Sequence, residues 1–224
     1  MKHLFTLILA IFIFFSIKGQ TCHCYQDSSL NEIIDCSTIR FQNKAKLYRQ
    51  FNCDSSWYTF ENPRVGIKKN IYSLEQPLLG LTEKLGFQYV AEFKKTFLIQ
   101  NNLISGCCTP PEYILFNKTN GTEYKNLGPL IYYSENKNSG FVVYFSDSTC
   151  NSIVIYFIDN GKKAIVQLPK NRLVISLTKT GDSYPEYLFD ETFISNNYLH
   201  LQYRYQKKEK GDKWYIQKIQ RSLK

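Results

Sequence analysis

The residues with the clearest capacity for chemistry lie near the start of the chain, where Cys22, His23 and Cys24 follow one another. Two thiolates and an imidazole are ligands that a soft or borderline metal ion accepts. Structural zinc sites space their paired cysteines by two to four residues, however, whereas a single residue separates this pair. The sequence therefore favours disulfides over a metal centre, and we expect no cofactor.

The chain contains seven cysteines, namely Cys22, Cys24, Cys36, Cys53, Cys107, Cys108 and Cys150. In an oxidising compartment we expect them to form structural disulfides, but the sequence does not fix the pairing. The seventh thiol stays free or links to another chain. Four of the seven fall where hydrophobic periodicity is poorest, so we predict that disulfides hold this N-terminal segment together.

Cys107 and Cys108 are adjacent in the sequence. Neighbouring side chains on an extended strand point to opposite sides, so we expect these two cysteines to reach different partners. A bridge between the two that acts as a redox switch is the alternative, although redox cysteines are usually separated by two residues.

Acidic residues offer a second kind of chemistry at Glu186, Asp190 and Glu191. A glycosidase needs two carboxylates that flank the sugar bond, and this group of acids could supply them. Acids at strand ends are ordinarily solvated. No serine lies in a nucleophile-elbow pattern, and neither a phosphate-binding glycine loop nor a dinucleotide fingerprint is present. The sequence therefore favours a protein that is not an enzyme.

The first 19 residues read as a signal peptide, because a short basic start precedes an apolar run over residues 4–17. The run is shorter than the roughly 20 apolar residues that a membrane-spanning helix needs. We predict cleavage after Gly19, with cleavage after Gln20 or a retained anchor as the alternatives. The mature protein is then secreted or periplasmic, and no further segment of spanning length follows.

The formal net charge of +9 favours anionic partners without identifying one. The basic residues occur as scattered pairs, whereas a nucleic-acid groove needs cations and stacking aromatics on one face. We therefore expect no nucleic-acid partner.

From residue 86 onward the sequence predicts antiparallel strands. It contains 17 Tyr and 16 Phe, many of them in short runs with Val, Ile and Thr between turn residues. No helical spacing is evident in this part of the sequence. Nearer the N terminus, residues 38–51 could form a short helix. The strands predicted in this part cover residues 87–93, 96–101, 112–117, 122–126, 130–134, 141–145, 152–158, 163–168, 172–178, 198–205 and 213–219. Two further strands are predicted before it, at residues 57–60 and 69–73.

Asn120-Gly121 and Asn160-Gly161 each lie between apolar runs, which predicts two type I′ hairpin turns. Similar strands flank both turns, so the chain has a repeat of roughly 40 residues that resembles the blades of a β-propeller. A β-sandwich or barrel would give similar spacing. We predict an all-β, mostly antiparallel fold in a single domain over residues 20–224, with a Cys-rich segment at 20–60 and a meander at 86–224.

Alternation in the segment that contains His200 places this histidine, Gln202 and Arg204 on one side of a strand, opposite Leu199 and Leu201. A disulfide-bearing β scaffold with many tyrosines and no catalytic pattern indicates a non-enzymatic binding protein. We expect its partner to be a protein or carbohydrate of the cell envelope. The alternative is a secreted hydrolase that uses a carboxylate pair.

Overall fold

The computed structural model describes residues 20–103, 109–134, 140–208 and 211–223. The predicted signal peptide, Cys107 and Cys108 lie outside the described residues. Half of the described residues are in strands and 13% are in helices. The prediction of a mostly antiparallel β fold is confirmed, and the described strands form no closed barrel.

Fifteen strands in the described chain form four sheets, and the strand order in each sheet follows the chain. The first sheet contains β1 Thr38–Arg40, β2 Lys46–Phe51, β3 Ser55–Asn62 and β4 Ile67–Glu75. The second contains β5 Phe87–Glu92, β6 Thr96–Asn101, β7 Glu112–Asn117 and β8 Glu123–Gly128. The third contains β9 Leu130–Tyr133, β10 Phe141–Phe145, β11 Ser152–Phe157 and β12 Lys163–Gln167. The fourth contains β13 Phe189–Ser195, β14 Tyr198–Gln206 and β15 Trp214–Ser222.

Short helical segments connect or flank the sheets. These are α1 Ser29–Ile33, a 3-10 turn at Leu79–Leu81, α2 Thr82–Leu85, α3 Arg172–Thr180 and a 3-10 turn at Pro185–Leu188. None of the helices within the described ranges is long and apolar enough to cross a membrane.

Two predictions of secondary structure are wrong. The helix expected over residues 38–51 is a hairpin of β1 and β2, because Lys44 takes a left-handed conformation (φ 67°) and reverses the chain. The strand expected over residues 172–178 is helix α3, although Val, Ile and Thr favour strands there. Leu173 and Leu177 lie four residues apart and pack against the hydrophobic core, so tertiary packing outweighs local preference.

Strand β13 lies in a stretch for which no strand is predicted. Its sequence, Phe-Asp-Glu-Thr-Phe-Ile-Ser, starts with two acidic residues after the first aromatic and shows little burial along its length. The strand is nevertheless formed because it pairs with β14 from Phe189 to Ser195.

The two Asn-Gly pairs lie at hairpin turns as predicted, but these turns are not type I′. Gly121 (φ 62°) and Gly161 (φ 70°) are left-handed, whereas neither asparagine before them is. Both loops close in the same way, with the amide of Gly121 donating to Asn117 O at 2.8 Å and that of Gly161 donating to Phe157 O at 2.9 Å. A four-residue loop with glycine in the left-handed position therefore replaces the two-residue turn.

The core consists of buried clusters that join successive sheets. One cluster joins the first and second sheets through Leu47, Phe60, Phe97 and Phe116. Another joins the second and third through Leu98, Leu115, Val142 and Val154. A third joins the third and fourth through Val143, Ile155, Leu199 and Leu201, together with α3. The second and third sheets therefore bury side chains on both faces, and none of these clusters combines the first sheet with the fourth in the described chain.

The N-terminal segment is held on the first sheet by two disulfides, Cys22–Cys36 and Cys24–Cys53. Phe51 and Leu79 pack beside the bridges in a small buried cluster. The amide of Phe51 also donates to Thr21 O at 2.9 Å. The predicted stapling of this segment by disulfides is confirmed.

Candidate binding face

Strand β14 divides the fourth sheet into a buried side and a side that faces solvent. Leu199, Leu201 and Tyr203 are at most 1% exposed and pack toward the third sheet. His200, Gln202 and Arg204 alternate with them and lie on the opposite side, as the sequence pattern predicts. This second side is named here the outer face of the fourth sheet.

Neighbouring strands add large apolar groups to the outer face. Phe193 of β13 lies across from His200, and β15 places Ile216 across from Arg204 and Trp214 across from Gln206. These groups are well exposed, with Phe193 at 47%, Ile216 at 62% and Trp214 at 38%. Several large exposed apolar groups on one face of a sheet are a feature of sites of interaction.

Polar neighbours hold two of the aromatic rings in place. The rings of Phe193 and His200 stack at 4.7 Å between centroids with an angle of 5° between their planes. The guanidinium of Arg204 lies 5.2 Å from the centroid of the Trp214 ring, and its Nε is 3.4 Å from Asp190 Oδ1. These contacts restrict the orientation of both rings before any ligand arrives.

A depression of about 300 Å³ opens between the strands on this side of the sheet. Its lining combines an aromatic ring with polar side chains of both charges, contributed by Glu191, Phe193, His200, Gln202, Lys218 and Gln220. The depression can therefore accept an apolar group and hydrogen-bond the atoms around it.

The outer side of the first sheet, at the other end of the series, carries polar side chains that pair with one another and are largely buried. Gln50 Nε2 donates to Thr59 Oγ1 at 2.6 Å, and Tyr48 donates to Glu61 Oε2 at 3.0 Å. Lys46 Nζ lies 3.6 Å from Glu61 Oε1. Terminal units of stacked folds commonly carry such a polar outer face. The two ends therefore differ, because only the fourth sheet presents several exposed large apolar groups on its outer face within the described chain.

The three acids considered for catalysis lie in different surroundings. Asp190 pairs with Arg204, and Glu191 lines the depression on the outer face. Glu186 lies in the 3-10 turn at Pro185–Leu188, where burial raises its pKa to about 7 and Asp182 adds a smaller effect. The hydrolase alternative needs two carboxylates about 5–9.5 Å apart across a sugar bond, and it stays a prediction.

The sulfur atoms of Cys22 and Cys24 are bonded to other cysteines and are not available as thiolate ligands. Across the described ranges, no group of three or more His, Cys, Asp or Glu side chains is arranged to hold a metal ion. Cys150 is buried without a disulfide to another described residue, and burial raises the pKa of its thiol to about 11.

The sequence pattern predicts that His200 faces solvent, but it does not show the apolar groups around this histidine. Trp214, Ile216 and Lys218 alternate with Tyr215 and Ile219, so both sides of β15 carry apolar residues and the pattern does not show which side is buried. Phe193 was missed because β13 was missed. These groups come together through the register in which β13 and β15 pair with β14.

Comparisons of the chain with family models, curated proteins and solved structures found no match. The exposed groups of the fourth sheet and their partners are therefore the basis for inferring a function.

Proposed function

We propose that the chain is an exported, non-enzymatic binding protein and that the outer face of the fourth sheet is its binding surface. The observation that carries the proposal is the exposure of Phe193, Trp214 and Ile216 on one face, while the first sheet ends the series with a paired polar surface. Exposing these apolar groups to water costs free energy, and a partner that covers them removes this cost.

The composition of the face suits recognition. Trp, Tyr and Arg are the residues that dominate binding energy at protein interfaces, and Tyr198, Arg204 and Trp214 all lie here. The stacked partners of Phe193 and Trp214 limit ring motion, so fewer rotamers are lost when a ligand binds. The proposed partner is a protein or carbohydrate of the cell envelope or exterior.

Export is supported by the two disulfides of the N-terminal segment, because such bonds persist in oxidising compartments. The basic and apolar start of the sequence supports the same proposal, with residues 1–19 as the signal peptide. Both observations support a secreted or periplasmic location.

The proposed architecture is a propeller-like series of small sheets. Its support is that the second and third sheets bury both faces, one against each neighbour. In a two-sheet sandwich each sheet buries one face and leaves the other to solvent. The repeat of roughly 40 residues in the sequence agrees with one meander sheet per unit.

The proposal is tested by substituting one exposed isoleucine on the face and one elsewhere. Ile216 is 62% exposed on the outer face, and Ile165 is 60% exposed on β12 of the third sheet. Ile216→Ser and Ile165→Ser therefore remove similar exposed area. The purified mature chain and both variants are immobilised and exposed to an envelope extract and to an oligosaccharide array.

We expect a retained protein or oligosaccharide whose binding falls in Ile216→Ser and is unchanged in Ile165→Ser. If both variants retain the same ligands as the wild type, the outer face is not the binding surface and the proposal fails.

A further inference from the structure

The fourth sheet has a free edge where each preceding sheet has a further strand. In the described chain the first three sheets contain four strands, and β4, β8 and β12 occupy the last position. The fourth sheet contains three, so β15 forms its edge. The position that would complete the repeated pattern lies beside β15.

The edge formed by β15 is long and regular. All nine of its residues, Trp214–Ser222, pair with β14 in one continuous register. The last strands of the other three sheets are less regular. Register shifts interrupt the pairing of β4 and of β8, and β12 has only five residues. Bulges and short length are devices that prevent an edge from pairing with another chain. Strand β15 has neither device.

The backbone groups that β15 offers at this edge can be identified from the pairing. The amide of Leu223 donates to Asn197 O on the β14 side at 2.9 Å. Successive amides along a strand point in opposite directions, so those of Ile216, Lys218 and Gln220 point away from β14. Their side chains lie on the outer face, where Gln220 is across from His200, Lys218 from Gln202 and Ile216 from Arg204.

Charge distinguishes the possible occupants. Strand β15 carries Lys218 and Arg221 and has no acidic residue. Lys218 is also its central residue, so antiparallel pairing of β15 with a second copy centred there would bring two lysines face to face. Like charges directly opposite each other destabilise a sheet. A segment with acidic side chains is therefore a better match than another copy of this chain.

We propose that β15 binds an extended segment of a partner protein, which adds antiparallel to it as the fourth strand of the sheet. An acidic residue of this segment lies near Lys218, and an apolar residue covers Ile216 from the side. Main-chain hydrogen bonds supply affinity and the alternate side chains supply specificity, as in other cases of strand addition. This inference rests on the proposed function and specifies the partner class as an acidic, extended peptide segment.

The test uses the full mature chain and a phage-displayed library of random twelve-residue peptides. Synthetic versions of enriched peptides are then titrated against Gln220→Pro and Gln220→Ala. The proline removes one edge-facing amide and obstructs pairing, while an edge strand tolerates it where the amide faces solvent. The alanine removes the same side chain and keeps the amide. Lys218→Glu tests the charge preference.

We expect enriched peptides to be acidic, to bind Gln220→Pro at least about tenfold more weakly than Gln220→Ala, and to bind Lys218→Glu at least about tenfold more weakly than the wild type. Hydrogen exchange on the wild-type chain gives a measurement that does not depend on a variant folding. Peptide should protect the amides of Ile216, Lys218 and Gln220, which no described strand pairs with, more than it protects those of Tyr215 and Gln217.

Equal binding to Gln220→Pro and Gln220→Ala, or no added protection at Ile216, Lys218 and Gln220, would overturn strand addition. If binding then still falls in Ile216→Ser, the outer face remains the binding surface and the proposed function survives. The peptide proposal also fails if an oligosaccharide is retained and no peptide is enriched. It fails likewise if the chain forms a dimer that Gln220→Pro disrupts and Gln220→Ala does not. If neither Ile216→Ser nor Gln220→Pro weakens the binding of any ligand, both proposals fail.

Discussion

At the scale of single residues, Glu186 is a carboxyl group held partly out of water. Its Oε2 atom is buried without a hydrogen-bond partner in the described chain. Burial raises the pKa of this carboxyl to about 7, from the ordinary value of 4.5. The folded protein therefore holds a proton on Glu186 at pH values where the unfolded chain has released it.

The consequence for stability has a definite sign. Because the folded pKa lies above the unfolded pKa, Glu186 imposes no cost below about pH 4.5 and lowers the free energy of unfolding as the pH rises to about 7. Glu186→Gln stays neutral at every pH. We expect it to raise the free energy of unfolding at pH 8 by about 1 kcal/mol after allowance for partial exposure, with no gain at pH 4.

Urea unfolding of both proteins at pH 4, 6 and 8 measures this difference. Glu191→Gln, on the outer face, is the control for the same change of side chain at another position. A difference between Glu186→Gln and wild type that does not grow from pH 4 to pH 8 would contradict the assignment.

At the scale of elements, the two Asn-Gly hairpins are similar turns in different surroundings. A methyl group added at Gly121 would lie 2.4 Å from Phe60 Cδ1 of the first sheet. At Gly161 nothing lies within 4 Å. Both glycines have positive φ, so the strain of an added side chain is shared and the contact with Phe60 is the difference.

These turns give a matched pair of substitutions. Gly161→Ala should lower the free energy of unfolding by about 1 kcal/mol, from backbone strain alone. Gly121→Ala should lower it by about 3 kcal/mol, because the methyl group also displaces the fully buried Phe60. Chemical unfolding of both variants measures the two losses. Equal losses would show that the Gly121 hairpin does not contact the first sheet as described.

Most strands were predictable from sequence because apolar residues occur in short runs between clear turn residues. Strands β6, β7 and β10 match the predicted limits, and the limits of β5, β9, β11 and β12 differ from them by a residue. Helix α3 was not predictable from composition, because its Val, Ile and Thr favour a strand. Its Ser176 is fully buried and accepts the amide of Gln206 at 2.8 Å, a contact that exists only once β14 is in place.

At the scale of the whole molecule, the binding face depends on which sheet ends the series. The alternation in β14 was readable from sequence, but the exposure of Phe193 and Ile216 results from the lack of a further sheet over them in the described chain. Only tertiary packing distinguishes a terminal sheet from the second and third sheets, whose strands are also rich in Tyr, Phe and Ile. The site was therefore less predictable than the strands that build it.

The N-terminal disulfides act on the whole molecule by restricting the unfolded chain. Cys22–Cys36 spans 14 residues and Cys24–Cys53 spans 29. Replacing either pair by alanine should lower the free energy of unfolding by about 3–4 kcal/mol, and the longer loop should give the greater loss by about 0.6 kcal/mol. Guanidinium unfolding of the two double variants measures this. Unchanged midpoints in both would show that the bridges do not stabilise the fold.

Strand order within each sheet also has a consequence for how the chain acquires its structure. Every described sheet is made of strands that are consecutive in sequence, so its pairing needs no residue from a later sheet. Proteins dominated by such local pairing close small loops first and fold quickly for their size. A polypeptide that emerges amino end first, from a ribosome or a translocation pore, can complete each meander and use its exposed apolar side as the template on which the following one condenses.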